Sequence, residues 1–172
     1  MSKYHEEKII CPSCGKEGEF LVWDSINTVL NPEMKEKVRN RSAFVFTCPH
    51  CQQSAEVQYD FLYHQMEDNL MIYQVNEKEV GRTQEMFLNA GTDMESEYKF
   101  RVVVSREELL EKLEIFDAGL DDRVVEMEKI FLLAGIMEKY PEKKIEQSFF
   151  ARNETDELLV FVTDKEIGRA HV

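Results

Sequence analysis

The sequence predicts an α+β chain, and three observations carry that expectation. All four cysteines fall in two matched pairs, "CPSCG" at 11–15 and "CPHCQ" at 48–52, each in a proline-bearing turn. Around them lie short runs of β-formers, such as "EFLVW" and "FVFT". The second half carries helix start and stop signals, "SREE" and "AGLDD", between further strand-like stretches. The expected organisation is a β-rich N-terminal domain over residues 1–75, a linker over 76–98, an α+β region over 99–166 and a tail over 167–172.

Residues 4–10 read as a strand entering the first cysteine turn. Gly18–Trp23 leaves it, with Phe20 and Val22 on one face and Leu21 and Trp23 on the other. Asn31-Pro32 reads as a helix start, because asparagine caps free N–H groups and proline suits the first helical position. That helix runs to about Arg39, and Ala43–Thr47 returns as a strand into the second cysteine turn. The stretch between the pairs is therefore a strand-helix-strand insert. Val57–Tyr63 and Leu70–Val75 read as two more strands. Residues 76–98 are polar and acidic, with Gly81 and Gly91 and room for a short helix near Thr83–Asn89.

The C-terminal region reads as β-α-α-β-β. "YKFRVVV" is a strand, and Ser105 with Glu108 forms a capping box for the helix that follows. Leu109, Leu113 and Phe116 share one face of that helix, and Gly119 can end it in the left-handed conformation. Asp121 caps a second helix, with Leu120 stapled against Val125. Val124, Met127, Phe131 and Ala134 are its expected core stripe, and Tyr140-Pro141 stops it. Ile145–Ala151 and Glu157–Thr163 read as a hairpin. The last six residues, "IGRAHV", coincide with the translation of a common sequencing-library adapter. They are read as a non-native tail on a truncated region, which leaves 157–163 as an unpaired edge strand.

Charge narrows the function classes. The net charge is −13, yet residues 1–51 hold seven basic and seven acidic side chains. The rest of the chain carries the whole excess, and an acidic body repels polyphosphate, which disfavours nucleic acid as a partner. No apolar run approaches the roughly 18 residues that span a bilayer, so no membrane role is expected. The N-terminal "MSKYHEEKII" lacks the apolar core of a secretory signal, so a cytoplasmic location with reduced thiols is expected.

Two thiols at C-x-x-C spacing reach one ion from a single turn, and backbone N–H groups of such turns can bond to thiolate sulfur. Two of these turns together give a tetrahedral S₄ site, the geometry of zinc or iron. The pairs are separated by 33 residues, more than the usual gap. Loop closure over that length costs roughly 0.7 kcal/mol beyond a 15-residue gap. Structural zinc supplies about 10–16 kcal/mol in small peptides, so the ion wins. A reducing compartment argues against disulfides. A thioredoxin-like motif uses one pair ahead of a helix. Four cysteines without a role would have no reason for matched spacing. A rubredoxin-like iron centre uses the same ligands and stays open beside zinc. The expectation is a structural Zn²⁺ held by Cys11, Cys14, Cys48 and Cys51 in a zinc-ribbon-like fold.

The segments "CPSCG", "EFLVWDSINTVLNPEMKEKV", "FVFTCPHC" and "VQYDFLYHQMEDNLMIY" resemble, in order and spacing, the CpXC domain family, named for its two C-P-x-C motifs. The resemblance covers about residues 8–74, and "IFDAGLDDRVVEMEK" is similar to the segment that follows such domains. It implies that the family's four cysteines correspond to Cys11, Cys14, Cys48 and Cys51. Many members have aspartate after "LYH" where this chain has Gln65, which speaks against catalysis by this stretch. The family is a domain of unknown function, so the resemblance implies no reaction.

Other candidates have plainer readings. His50, inside the second pair, is expected to face solvent, and His5 and His64 lack paired spacing. Lys35, Lys37, Arg39 and Arg41 form a basic cluster that could touch nucleic acid but reads first as a solvated helix face. Asp117, Asp121 and Asp122 lack EF-hand spacing and read as helix caps. There is no Gly-rich phosphate loop, nucleophile elbow or H-E-x-x-H motif. The expected role is a zinc-binding protein-interaction module without catalysis of its own. The alternative is a nucleic-acid-binding ribbon.

Overall fold

The structure, a computed structural model, describes residues 1–91, 98–152, 157–163 and 167–171. The chain divides into two compact units, Met1–Leu109 and Leu110–Val172. In chain order the first unit contains β1 (Lys3–Ile10), β2 (Glu17–Asn27), α1 (Glu33–Arg39), β3 (Val45–Thr47), β4 (Ser54–Glu56), β5 (Phe61–Gln65), β6 (Leu70–Gln74), α2 (Val80–Gly91), β7 (Lys99–Val103) and the start of α3 (Arg106–Asp117). The second contains the rest of α3, then α4 (Asp122–Lys139), β8 (Ile145–Arg152), β9 (Glu157–Thr163) and β10 (Ile167–His171).

A five-stranded sheet of order β1-β2-β5-β6-β7 forms the first unit. β1 and β2 make a long antiparallel hairpin, and only Ser25–Asn27 of β2 runs on to pair, in parallel, with β5. β5 and β6 are antiparallel and bury every second residue: Phe61, Tyr63 and Gln65, then Leu70, Ile72 and Gln74. That alternation is the strand period at work. β3 and β4 form a separate short hairpin. α1 buries Met34 and Val38, four residues apart on one face.

Several expectations shift here. Asn31 does not cap α1 with its side chain; its carbonyl accepts from the Met34 N–H, and the helix begins at Glu33. The preceding turn is held instead by Asn27, whose Oδ1 accepts from the N–H groups of Val29 and Leu30. The short β4 had no signal of its own, and α2 is longer than the helix expected near 83–89. The strand expected to head the C-terminal region, β7, instead lies parallel to β6 in the five-stranded sheet. Its Phe100, Arg101 and Val102 are half-buried and Val103 is buried, so the open edge of β6 gives the strand a partner.

In the second unit the end of α3 closes in a Schellman cap: Gly119 has φ +76°, and Leu120 N–H reaches the Ile115 carbonyl. Asp121 Oδ1 caps α4 through the Arg123 N–H. Ser105 caps α3 as expected, while Glu108 reaches back to the Val104 N–H. The expected core stripe of α4 is overturned. Val124, Met127, Phe131 and Ala134 are exposed, Phe131 by 70%, whereas Asp122, Val125 and Lys129 are buried. Lys129 Nζ bonds Glu111 at 2.7 Å, and Lys112 pairs with Asp122 at 3.3 Å and Glu126 at 2.6 Å. The run "IFLLAGIM" is apolar around the whole helix, so these charge pairs to α3, not the apolar spacing, select the inward face. β9 is the middle strand of the sheet β10-β9-β8, so it is paired on both sides rather than left as an edge.

Candidate metal centre

Each cysteine pair sits at the tip of a hairpin. Between β1 and β2, Cys11 N–H bonds the Lys16 carbonyl and Gly15 N–H bonds the Cys11 carbonyl, both at 2.9 Å. Between β3 and β4 the same two bonds recur: Cys48 N–H to the Gln53 carbonyl at 2.9 Å and Gln52 N–H to the Cys48 carbonyl at 3.0 Å. Both tips turn through the left-handed region, at Gly15 with φ 69° and at Gln52 with φ 61°. Glycine does this without strain; glutamine does not.

The two tips bring four sulfurs together. Cys11 Sγ lies 3.6 Å from Cys51 Sγ and Cys14 Sγ lies 3.7 Å from Cys48 Sγ. All four are within 4.8 Å of one another, and all four cysteines are free thiols rather than disulfides. Cys11 and Cys48 are buried, while Cys14 is exposed. The cluster could hold a metal ion, and among the described residues no other group of three or more His, Cys, Asp or Glu is so placed.

Electrostatics divides the sulfurs. The N–H of Cys14 lowers the Cys11 thiol most; despite burial, the N–H of Ser13 and the neighbouring thiols help bring it to about 6. Burial pushes Cys48 up, but the N–H groups of Cys51 and His50 and two thiols outweigh it and hold it below its usual value. Cys51 receives help from the Gln53 N–H, yet burial and the thiols around it raise it to about 12. Four crowded thiols cannot all ionise by themselves, because each thiolate opposes the next.

The cysteine cluster shares a small core with Phe20, Val22 and Phe46, flanked by Ile9, Val57 and Tyr59. Gly18 allows the hairpins to meet. A Cβ there would lie 2.8 Å from Phe46 Cε2 and Cζ and 2.9 Å from Pro49 Cδ. The sequence reading placed Gly18 only as a strand start; nothing in one sequence marks which glycine faces another chain segment. His50 is exposed, as expected, but it also joins the tips, with Nε2 3.1 Å from the Glu17 carbonyl oxygen.

The other candidates are placed differently from one another. His5 meets Asp24 at 3.2 Å, and His64 Nε2 lies 3.1 Å from Tyr98 Oη. The basic cluster is largely turned to protein partners. Lys35 pairs with Glu67 at 3.3 Å, Arg39 donates to Tyr63 Oη at 3.0 Å and Gln65 Oε1 at 3.3 Å, and Arg41 pairs with Glu107 at 3.1 Å and Glu56 at 3.6 Å. Lys37 is exposed. Gln65 is buried within this network, where Tyr63 Oη donates to it at 2.8 Å and its own amide donates to Asp68. Of the three aspartates, Asp121 caps α4 and Asp122 is buried against Lys112. Among the described residues no helix is long and apolar enough to cross a membrane.

No curated protein and no solved structure matches the chain. The CpXC protein family matches residues 9–129, a span that holds both hairpin tips, the strands β2 to β7 and the start of α4. With most of its length covered, and with Cys11, Cys14, Cys48 and Cys51 gathered at two C-P-x-C tips, the chain belongs to the CpXC family.

Proposed function

We propose that Cys11, Cys14, Cys48 and Cys51 hold one structural zinc ion, and that the chain acts through protein contacts rather than by catalysis. The observation that carries the metal reading is the sulfur spacing. An ion bonded to four sulfurs at about 2.3 Å has sulfur–sulfur edges of about 3.8 Å. Two of the separations here are 3.6 and 3.7 Å, and all four sulfurs lie within 4.8 Å of one another. The conflict among the thiols supports the same reading: a divalent cation between them lets all four ionise. Four thiolates fill a tetrahedral shell and leave no position for water, which favours a structural role over a hydrolytic one.

Protein rather than nucleic acid is the partner class that the surface favours. Lys35, Arg39 and Arg41 already have partners within the chain, and the net charge of −13 opposes a polyanion. Metal analysis with X-ray absorption tests the site; the expected result is one zinc per chain with four sulfurs at about 2.3 Å. Iron in that shell would keep the site and change the ion, and fewer than four sulfurs would open a place for metal-bound water. Polarisation titration with single- and double-stranded oligonucleotides at low salt tests the partner class, with no saturable binding expected.

A further inference from the structure

Arg106 opens α3 and is fully buried. Its guanidinium carbon lies 3.2 Å from the ring centroid of Phe44, 4.9 Å from that of Phe61 and 5.8 Å from that of Tyr59. Nε is 3.5 Å from Glu56 Oε1, an ion pair without hydrogen-bond geometry, and neither Nη1 nor Nη2 has a hydrogen-bond partner among the described residues. Stacking on aromatic faces and the Glu56 carboxylate thus hold a cation that few hydrogen bonds satisfy. Burial draws its ionisation down to about 10, opposed by Tyr59 and Glu56, so the group stays charged at neutral pH.

Every wall of this cage is built by the chain entering or leaving the second cysteine tip. Phe44 directly precedes β3, Glu56 ends β4, and Tyr59 and Phe61 follow. β3 and β4 meet through three residue pairs, the outermost being Val45 with Glu56, and Val57 N–H then bonds the Phe44 carbonyl at 2.8 Å. Tyr59 belongs to both regions: its ring is 6.2 Å from Phe20 in the cysteine core and 5.8 Å from Phe44 in the cage. A hairpin of three pairs does not stand alone in water, so its closure depends on what grips its tip.

We infer that the cysteine centre and the first turn of α3 form one cooperative element, with Arg106 in its cage of Phe44, Tyr59, Phe61 and Glu56 relaying the metal state to the helix. This rests on the four-sulfur metal reading above. Without the ion the short hairpin opens, its aromatic walls separate and Arg106 regains water. The Glu108 and Leu109 N–H groups, which bond Ser105 Oγ at 3.1 Å and the Ser105 carbonyl at 3.2 Å, then lose their partners. Linkage makes the coupling reciprocal, so an intact cage tightens the metal site.

The test is amide hydrogen exchange on the full chain, zinc-loaded and after chelation, with zinc affinity measured for the wild type and Arg106→Met by competition with a chromophoric chelator. Chelation is expected to accelerate exchange in 54–61 and at Glu108 and Leu109 together. Arg106→Met is expected to bind zinc about tenfold more weakly at unchanged stoichiometry. Exchange that rises in 54–61 while Glu108 and Leu109 stay protected overturns the inference and leaves the metal reading standing. So does an unchanged affinity. A chain that takes up neither zinc nor iron overturns both. If Arg106→Met does not fold, the exchange of the wild-type chain decides alone.

Discussion

The two cysteine tips carry the same pair of backbone bonds and the same left-handed turn, but they stand on unequal supports. The first closes β1 and β2, strands of 8 and 11 residues. The second closes β3 and β4, strands of three residues each. The first tip uses glycine at its left-handed position and the second uses glutamine. A long ladder sets its own turn, whereas a short one with a strained turn must be held from outside. The first hairpin is thus a base and the second a docked piece, secured by the sulfur cluster, by the Gly18 contact and by His50.

The largest effect should come from removing the shared grip. Cys48→Ser is expected to abolish stoichiometric metal uptake, read by elemental analysis. Chelation of the wild type should release the amides of 45–56 before those of the β1–β2 ladder, read by hydrogen exchange. Simultaneous release of both hairpins would remove the distinction between base and docked piece. Next comes the contact itself. Gly18→Ala puts a methyl group against the buried Phe46 ring and the Pro49 ring, and is expected to cost about 1–3 kcal/mol in denaturant unfolding. An unchanged midpoint would mean that the hairpins can part without loss.

The turns give a smaller and signed comparison. Gly15→Ala forces a side chain into φ 69° and is expected to destabilise by about 1 kcal/mol. Gln52→Gly relieves the matching strain at φ 61° and is expected to stabilise by less than about 1 kcal/mol, because glycine also frees the unfolded chain. Thermal melts of the two variants should shift in opposite directions.

The smallest effect separates the tips from the sheet in acid. The folded value of Cys11 is depressed from 9.0 to about 6, so its contribution is complete above 9.0 and is lost as pH falls through about 6. Acid also protonates the thiolates that would hold the ion, so a colorimetric chelator should detect more released metal as pH falls. Burial also lowers His64, reinforced by the chain's amino terminus and opposed by Glu67; its contribution is present above 6.5 and is lost as pH falls through the lowered folded value. His64→Gln should flatten this shallow part of the stability profile and leave metal release where it was.

What the sequence made legible follows from how local the cause is. Each C-x-x-C turn, the Gly119 cap and the Asp121 cap depends on neighbours within a few residues, and each stands where its pattern placed it; the meeting of the two turns, which joins Cys11 to Cys51 and Cys14 to Cys48, is not local. The face of α4 does not, because an apolar run around the whole helix leaves the choice to the charge pairs between the two helices, Lys129 of α4 with Glu111 of α3 and Lys112 of α3 with Asp122 of α4. Gly18 and Arg106 were silent for the same reason: one matters through Phe46 and Pro49, the other through Phe44, Tyr59 and Phe61, and neither set is adjacent in sequence. The pairing of β7 with β6 is likewise a property of an open strand edge, which no local run of residues announces.

The register of the first hairpin has a consequence for the order in which the molecule is made. Ile10 pairs with Glu17 and Tyr4 with Trp23, so this ladder can zip while the ribosome is still extending the chain. Its two thiols then wait, half a site, until Cys48 and Cys51 emerge, and the parallel partners β5 and β7 arrive later still. Nascent chains of this protein therefore pass through a stage at which the proposed ion would meet two sulfurs instead of four, and the growing polypeptide itself is the scaffold on which the second pair must find the first.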